Sequence, residues 1–123
     1  MNDWTEWKIC AVEDLRDPGA REFEVGGGDW PFRGVLVRRR GGLFAYANVC
    51  PHRGHPLNLA TDDFLTPDGN LLRCASHGAV FVTETGFCLA GPCAARSLLQ
   101  LECRVMGGNV FVKAPAGAAV GEL

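Results

Sequence analysis

The chain has 123 residues, with 12 basic and 14 acidic side chains and a net charge of −2. That length allows one domain with a modest core, and the charge balance excludes the basic footprint of a nucleic-acid binder. A content of 47% hydrophobic and 21% charged residues is globular rather than disordered.

No apolar stretch approaches the length of a membrane-spanning helix. The first residues, MNDWTEWKIC, lack the charged-then-apolar pattern of a secretion signal. The expectation is a soluble cytoplasmic protein that binds neither membrane nor nucleic acid. Six cysteines in such a compartment serve more often as metal ligands or thiols than as disulfides.

Taken in chain order, the pattern has period two and predicts strands. Trp7 to Val12 is the first, and Val12 to Arg16 is the one helix candidate, stopped by Pro18-Gly19. Arg21 to Val25 alternates Phe23 and Val25 with charged residues. Val35 to Arg39 and Leu43 to Ala47 flank Gly41-Gly42 as a hairpin. The basic run Arg38-Arg39-Arg40 beside it reads as a solvated hairpin end.

Leu71 to Arg73, Ala79 to Val82 and Phe87 to Leu89 follow as short strands, the last two joined through the turn 83–86. Leu99, Leu101, Cys103 and Val105 alternate with polar residues and predict one strand with a buried face. Gly107-Gly108-Asn109 turns it into Val110 to Lys113. The sum is an all-β fold of antiparallel sheets, a sandwich or barrel. It forms a single domain over residues 1–113, with Ala114 to Leu123 a fraying tail.

Two segments interrupt the alternation. Residues 50–56 read CPHRGHP and residues 74–78 read CASHG. Each brings one thiolate and one imidazole: Cys50 with His52, and Cys74 with His77. Four such ligands suit a tetrahedral zinc or a two-iron cluster. Zinc sites usually open with two residues between ligands, often of one type. The mixed pairs Cys-x-His and Cys-x-x-His instead suit two irons, each loop giving its Cys to one and its His to the other. A structural zinc site stays as the alternative.

These residues resemble the Rieske [2Fe–2S] domain. The likeness continues through Arg53-Gly54 and Leu57, through Gly78, Phe81 and Gly86, and through Gly91-Pro92, which matches the family's proline loop. It runs from about Val35 to Lys113. The resemblance implies a cluster-binding part at about 48–93 set in a β base. Cys50 and Cys74 are then ligands of the inner iron, and His52 and His77 of the outer iron. Gly54, Gly78 and Gly91 would let backbone approach the cluster, with Pro92 as its shield. One departure is the spacer between the two loops, longer than the common pattern through residues 59–70, which reads as an extended surface loop. Asp62, Asp63 and Asp68 there offer an acidic docking face or a solvated turn.

High-potential members of the family carry an extra disulfide and two hydroxyl donors to the cluster sulfurs. The matching positions here hold His55 and Ser76, then Ala79 and Phe81, so the resemblance implies the low-potential class. Two thiolates bring two ferric ions and two sulfides to zero charge, which sets such clusters above all-cysteine ones.

The resemblance implies a stand-alone ferredoxin rather than an enzyme. Such a carrier takes electrons from a flavin-dependent reductase and passes them to a terminal oxygenase. A small Rieske subunit of a nitrite-reductase-like complex is the alternative. An oxygenase centre within this chain is excluded by counting: it needs two further histidines, and only His55 is spare. His55 reads as an exposed loop residue. Cys10, Cys88, Cys93 and Cys103 read as core thiols, and Trp4, Trp7 and Trp30 as packing residues.

Overall fold

The computed structural model describes residues 4–26, 31–51, 56–58, 60–75, 78–92 and 95–115. Among them, ten strands form three antiparallel sheets. Strands β1 (Trp4–Ala11), β10 (Asn109–Pro115) and β9 (Cys103–Met106) make the first, in the order β1-β10-β9. The second is β2 (Gly19–Val25), β3 (Phe32–Arg39), β4 (Gly42–Ala47) and β8 (Gln100–Leu101), in that order. The third is β5 (Leu71–Arg73), β6 (Val80–Val82) and β7 (Cys88–Ala90). No described helix is long and apolar enough to cross a membrane.

The second sheet is apolar on both faces, and this organises the molecule. Val35, Leu36 and Val37 are all fully buried, a continuous run where a one-sided strand would alternate. Successive side chains point to opposite faces. Leu36, Ala45 and Phe23 therefore pack toward Val110, Val112 and Ala114 of the first sheet. Val35, Val37 and Tyr46 pack toward Leu72, Phe81 and Cys88 of the third sheet, and toward Cys50 and Cys74.

Several expectations are corrected. The β3–β4 turn is Arg40-Gly41, not Gly41-Gly42, because Arg39 pairs with Gly42. Both turn residues have positive φ, as a two-residue hairpin of this hand requires. Asp17 accepts hydrogen bonds from both of their amides, at 2.8 Å each. The helix candidate is one 3-10 turn, Val12–Asp14.

The expected 99–105 strand is two strands. Leu101 pairs with Ala45 in the second sheet, whereas Cys103–Met106 pair with β10 in the first. The chain crosses between sheets at Glu102, so Leu101 is buried while Leu99 and Val105 are exposed. At the C-terminal end β10 continues past Lys113: Ala114 and Pro115 are buried and pair with Thr5 and Trp4. Residues 116–123 of the expected tail lie outside the described residues, as does Trp30. Trp7 packs as expected, and its indole donates to the Ala114 carbonyl at 3.0 Å.

The basic run is also not a solvated end. Arg38 donates to the carbonyls of Val12 and Leu15, at 3.2 and 3.1 Å. Arg39 reaches Glu84 at 2.6 Å and Asn70 at 3.0 Å. Alternation sends these neighbours to opposite faces of β3, and only Arg40 is left exposed. Truncating the fully buried Leu36 to Ala should cost about 3 kcal/mol, a typical Leu→Ala loss at a closed core site. Urea denaturation measures it, and a loss under about 1 kcal/mol would contradict the two-sided burial of β3.

Candidate metal centre

Cys50 follows β4, and Cys74 follows β5. Both are fully buried, and both belong to the apolar cluster between the second and third sheets. The sequence separates them widely, and the fold brings them to one side of the central sheet. The cluster around them includes Leu57, Phe64, Leu72, Ala79 and Leu98. Burying two thiols this way excludes water from whatever they hold. His52 and His77, the other two expected ligands, lie outside the described residues, as do Arg53, Gly54, His55, Ser76 and Cys93.

Three segments surround the two thiols, and each is tied to the other two. The Ala75 amide, next to Cys74, donates to the Leu57 carbonyl of the first loop at 2.8 Å. Arg96, beyond the proline loop, donates to the Pro51 carbonyl next to Cys50 at 3.1 Å. Gly91 packs on Ala79: a Cβ at Gly91 would lie 2.7 Å from the Ala79 Cα, and its φ is +105°. A side chain there is both strained and obstructed. Cys74 itself is held within its loop, its amide donating to the Ala79 carbonyl at 2.8 Å and its carbonyl accepting from Gly78 at 2.9 Å.

Two polar struts fix this part to the sheet beneath. On one side, Asn48 and Asn58 both donate to the Glu22 carboxylate, which also pairs with Arg33. On the other, the Tyr46 hydroxyl donates to the Thr83 carbonyl at 2.7 Å. Glu84, beside it, accepts from Thr83 and from Arg39. The Thr83 hydrogen bond, followed by Arg39, holds the Glu84 carboxyl below its ordinary pKa. A carboxylate so lowered stabilises the fold above its unfolded pKa, and that contribution is lost as pH falls through the folded value.

The long spacer is more than a surface loop. Phe64 is fully buried in the cluster, and Leu65 bridges to Leu72. The acidic residues are engaged within the chain: Asp63 with Arg73 at 2.6 Å, Asp62 with the Glu22 amide at 2.8 Å, and Asp68 with Thr66 at 2.6 Å. The cue in the sequence was the apolar pair Phe64-Leu65 inside a polar stretch.

Of the remaining described cysteines, two are core thiols as expected, whereas Cys103 is only partly buried at the margin of the core. Cys88 is buried in the same cluster and Cys10 in the opposite one. Burial pushes the thiols of Cys10 and Cys103 up.

No described side chain at positions 79 and 81 offers a hydroxyl: Ala79 and Phe81 are both buried there. Tyr46 is the one tyrosine of the chain, and its hydroxyl is committed to Thr83. Replacing Tyr46 with Phe should therefore cost about 1–2 kcal/mol, the loss of a buried hydrogen bond that leaves a carbonyl unpaired. Gly91→Ala should cost roughly 1–3 kcal/mol through φ strain and the Ala79 contact. Both are read by thermal or urea denaturation, and a neutral Gly91→Ala would contradict the packing of the third loop on the second.

The chain matches the family model of the Rieske [2Fe-2S] domain over residues 5–112. It is 34% identical over 105 residues to the ferredoxin component of an alkene monooxygenase system from Xanthobacter autotrophicus, covering 85% of this chain and 77% of that protein. It is 31% identical over 112 residues to human apoptosis-inducing factor 3, covering 91% of this chain but only 17% of that protein. Among solved structures, the ferredoxin of carbazole 1,9a-dioxygenase from Nocardioides aromaticivorans IC177 superposes with a TM-score of 0.70. That match has 22% identity and covers 90% of this chain and 98% of that one. The buried thiol pair, the three mutually tied loops and the matched residues agree: this chain belongs to the Rieske family, which is defined by its [2Fe–2S] cluster.

Proposed function

We propose that this protein is a one-electron carrier serving an oxygenase system, with Cys50, His52, Cys74 and His77 as the ligands of its cluster. The observation that carries the ligand set is the burial of both cysteines in one apolar shell, each followed closely in sequence by a histidine. The donor set fits a Rieske cluster, which when bound takes up and gives back one electron. The chain's own part is to hold four ligands in place and keep water from the thiol side. The likeness to a monooxygenase ferredoxin component over 77% of that protein supports the carrier role. A flavin-dependent reductase is then the donor and a terminal oxygenase the acceptor. Counting histidines leaves too few for the two-histidine mononuclear iron of an oxygenase in this chain. Cysteines serving as thiolate ligands of a cluster rather than as disulfides suit a reducing compartment, and we place the carrier in the cytoplasm.

The potential lies in the lower part of the family range of about −150 to +300 mV. Hydrogen bonds to cluster sulfur raise it, and the hydroxyl donors that would supply them are replaced by Ala79 and Phe81. An anaerobic redox titration should give a midpoint below about +100 mV, and a value well above it would refute the low-potential assignment. His52→Ala or His77→Ala should abolish the visible absorption of the purified protein. A normal Rieske electron-spin resonance signal in either variant would refute the ligand assignment.

A further inference from the structure

We propose that Asn48 is a positioning residue for the cluster loops, oriented by the Glu22 carboxylate and holding the first loop closed across both its ends. The proposal rests on the reading of Cys50 and Cys74 as ligands.

Asn48 is a buried polar side chain, 2% exposed, directly after β4. Its Oδ1 accepts from the Leu57 amide at 2.8 Å. Its Nδ2 donates to Glu22 Oε2 and to Asn58 Oδ1, both at 2.9 Å. Its own amide donates to the Arg33 carbonyl at 3.1 Å. Residues 48 and 57 bracket the segment that carries Cys50 and His52. One side chain therefore sets both ends of that loop. The Leu57 carbonyl then accepts from Ala75, the neighbour of Cys74, so the same contact extends to the second loop.

The direction of the amide is dictated by charge. An ionised carboxylate only accepts hydrogen bonds, so Asn48 must turn its NH2 toward Glu22. That leaves its carbonyl oxygen facing the Leu57 amide. Glu22 is itself fixed, receiving Arg33 Nε at 2.8 Å and forming an ion pair with the same guanidinium. The order is thus Arg33 holding Glu22, Glu22 orienting Asn48, and Asn48 closing the loop. Asn48→Asp keeps the size and the acceptor for Leu57 but sets a carboxylate against a carboxylate. Glu22→Gln in the same chain removes the like charge and offers the new carboxylate at position 48 a donor. Its one remaining oxygen is left to accept from Arg33, which in the wild type shares Oε2 with Asn48.

The test compares Asn48→Asp with the double variant Asn48→Asp/Glu22→Gln. The readouts are the rate at which a chelator removes iron, the visible circular dichroism of the cluster, and the melting temperature. The single variant should lose iron about tenfold faster or more, the scale for residues that orient metal ligands, with altered visible dichroism. The double variant should recover most of both. A single variant with a lower melting temperature but wild-type dichroism and iron release would reduce Asn48 to a structural residue and overturn the proposal. A double variant no better than the single one, or unable to fold or hold iron, would overturn it too. If the single variant does not fold, a double variant with wild-type dichroism and release supports the proposal. A wild-type protein that binds no cluster would instead refute the ligand reading itself, which separates the two failures.

Discussion

Three loops far apart in the sequence have to hold one another around two thiols, and the rest of the structure serves that requirement. The loops share no strand. Each contributes one contact to each of the others: an amide of the second on a carbonyl of the first, an arginine of the third on the first, and a glycine of the third against the second. A closed triangle of contacts resists distortion better than a row, because no member can move without breaking two contacts. The contacts are short-range and directional, so they need a rigid floor.

The floor is the central sheet, and its two apolar faces explain the chain's composition. One face is used up by the first sheet, which gives the domain its independent stability. The other is free to form the dry side of the metal centre. Apolar packing alone would let the upper part slide, since the hydrophobic effect has no direction. The two polar struts remove that freedom. Asn48 with Glu22 grips the first loop, and Tyr46 with Thr83 grips the turn behind the third sheet. Each is buried and hydrogen-bonded, which is the condition under which buried polar groups specify an arrangement without a large desolvation cost.

The local features were legible in the sequence. The hairpin 35–47 and the short strands around 71–89 follow from period-two alternation and turn residues, and the Cys/His pairs stand out by spacing. What was hidden depends on pairing across distance. The strand read through 99–105 kept its alternation while changing sheets at Glu102, an event that alternation cannot register. The arginines 38–40 looked like a solvated cluster because their partners, Val12, Leu15, Glu84 and Asn70, are far away in sequence. Asn48 carries no local cue of its own in the sequence. Its role depends on Glu22, which reads on its own as a polar strand position. Phe64 was the one hidden anchor with a local cue, an aromatic residue inside a polar spacer.

The solitary tyrosine has a consequence for observation. Because the chain contains one tyrosine and buries it where the central sheet meets the third, isotopic labelling of that amino acid alone places a single magnetic-resonance probe at the joint between floor and loops. Any partner that pries the loops from the floor would change one line in an otherwise empty spectrum, and one that docks without strain would leave it where it was.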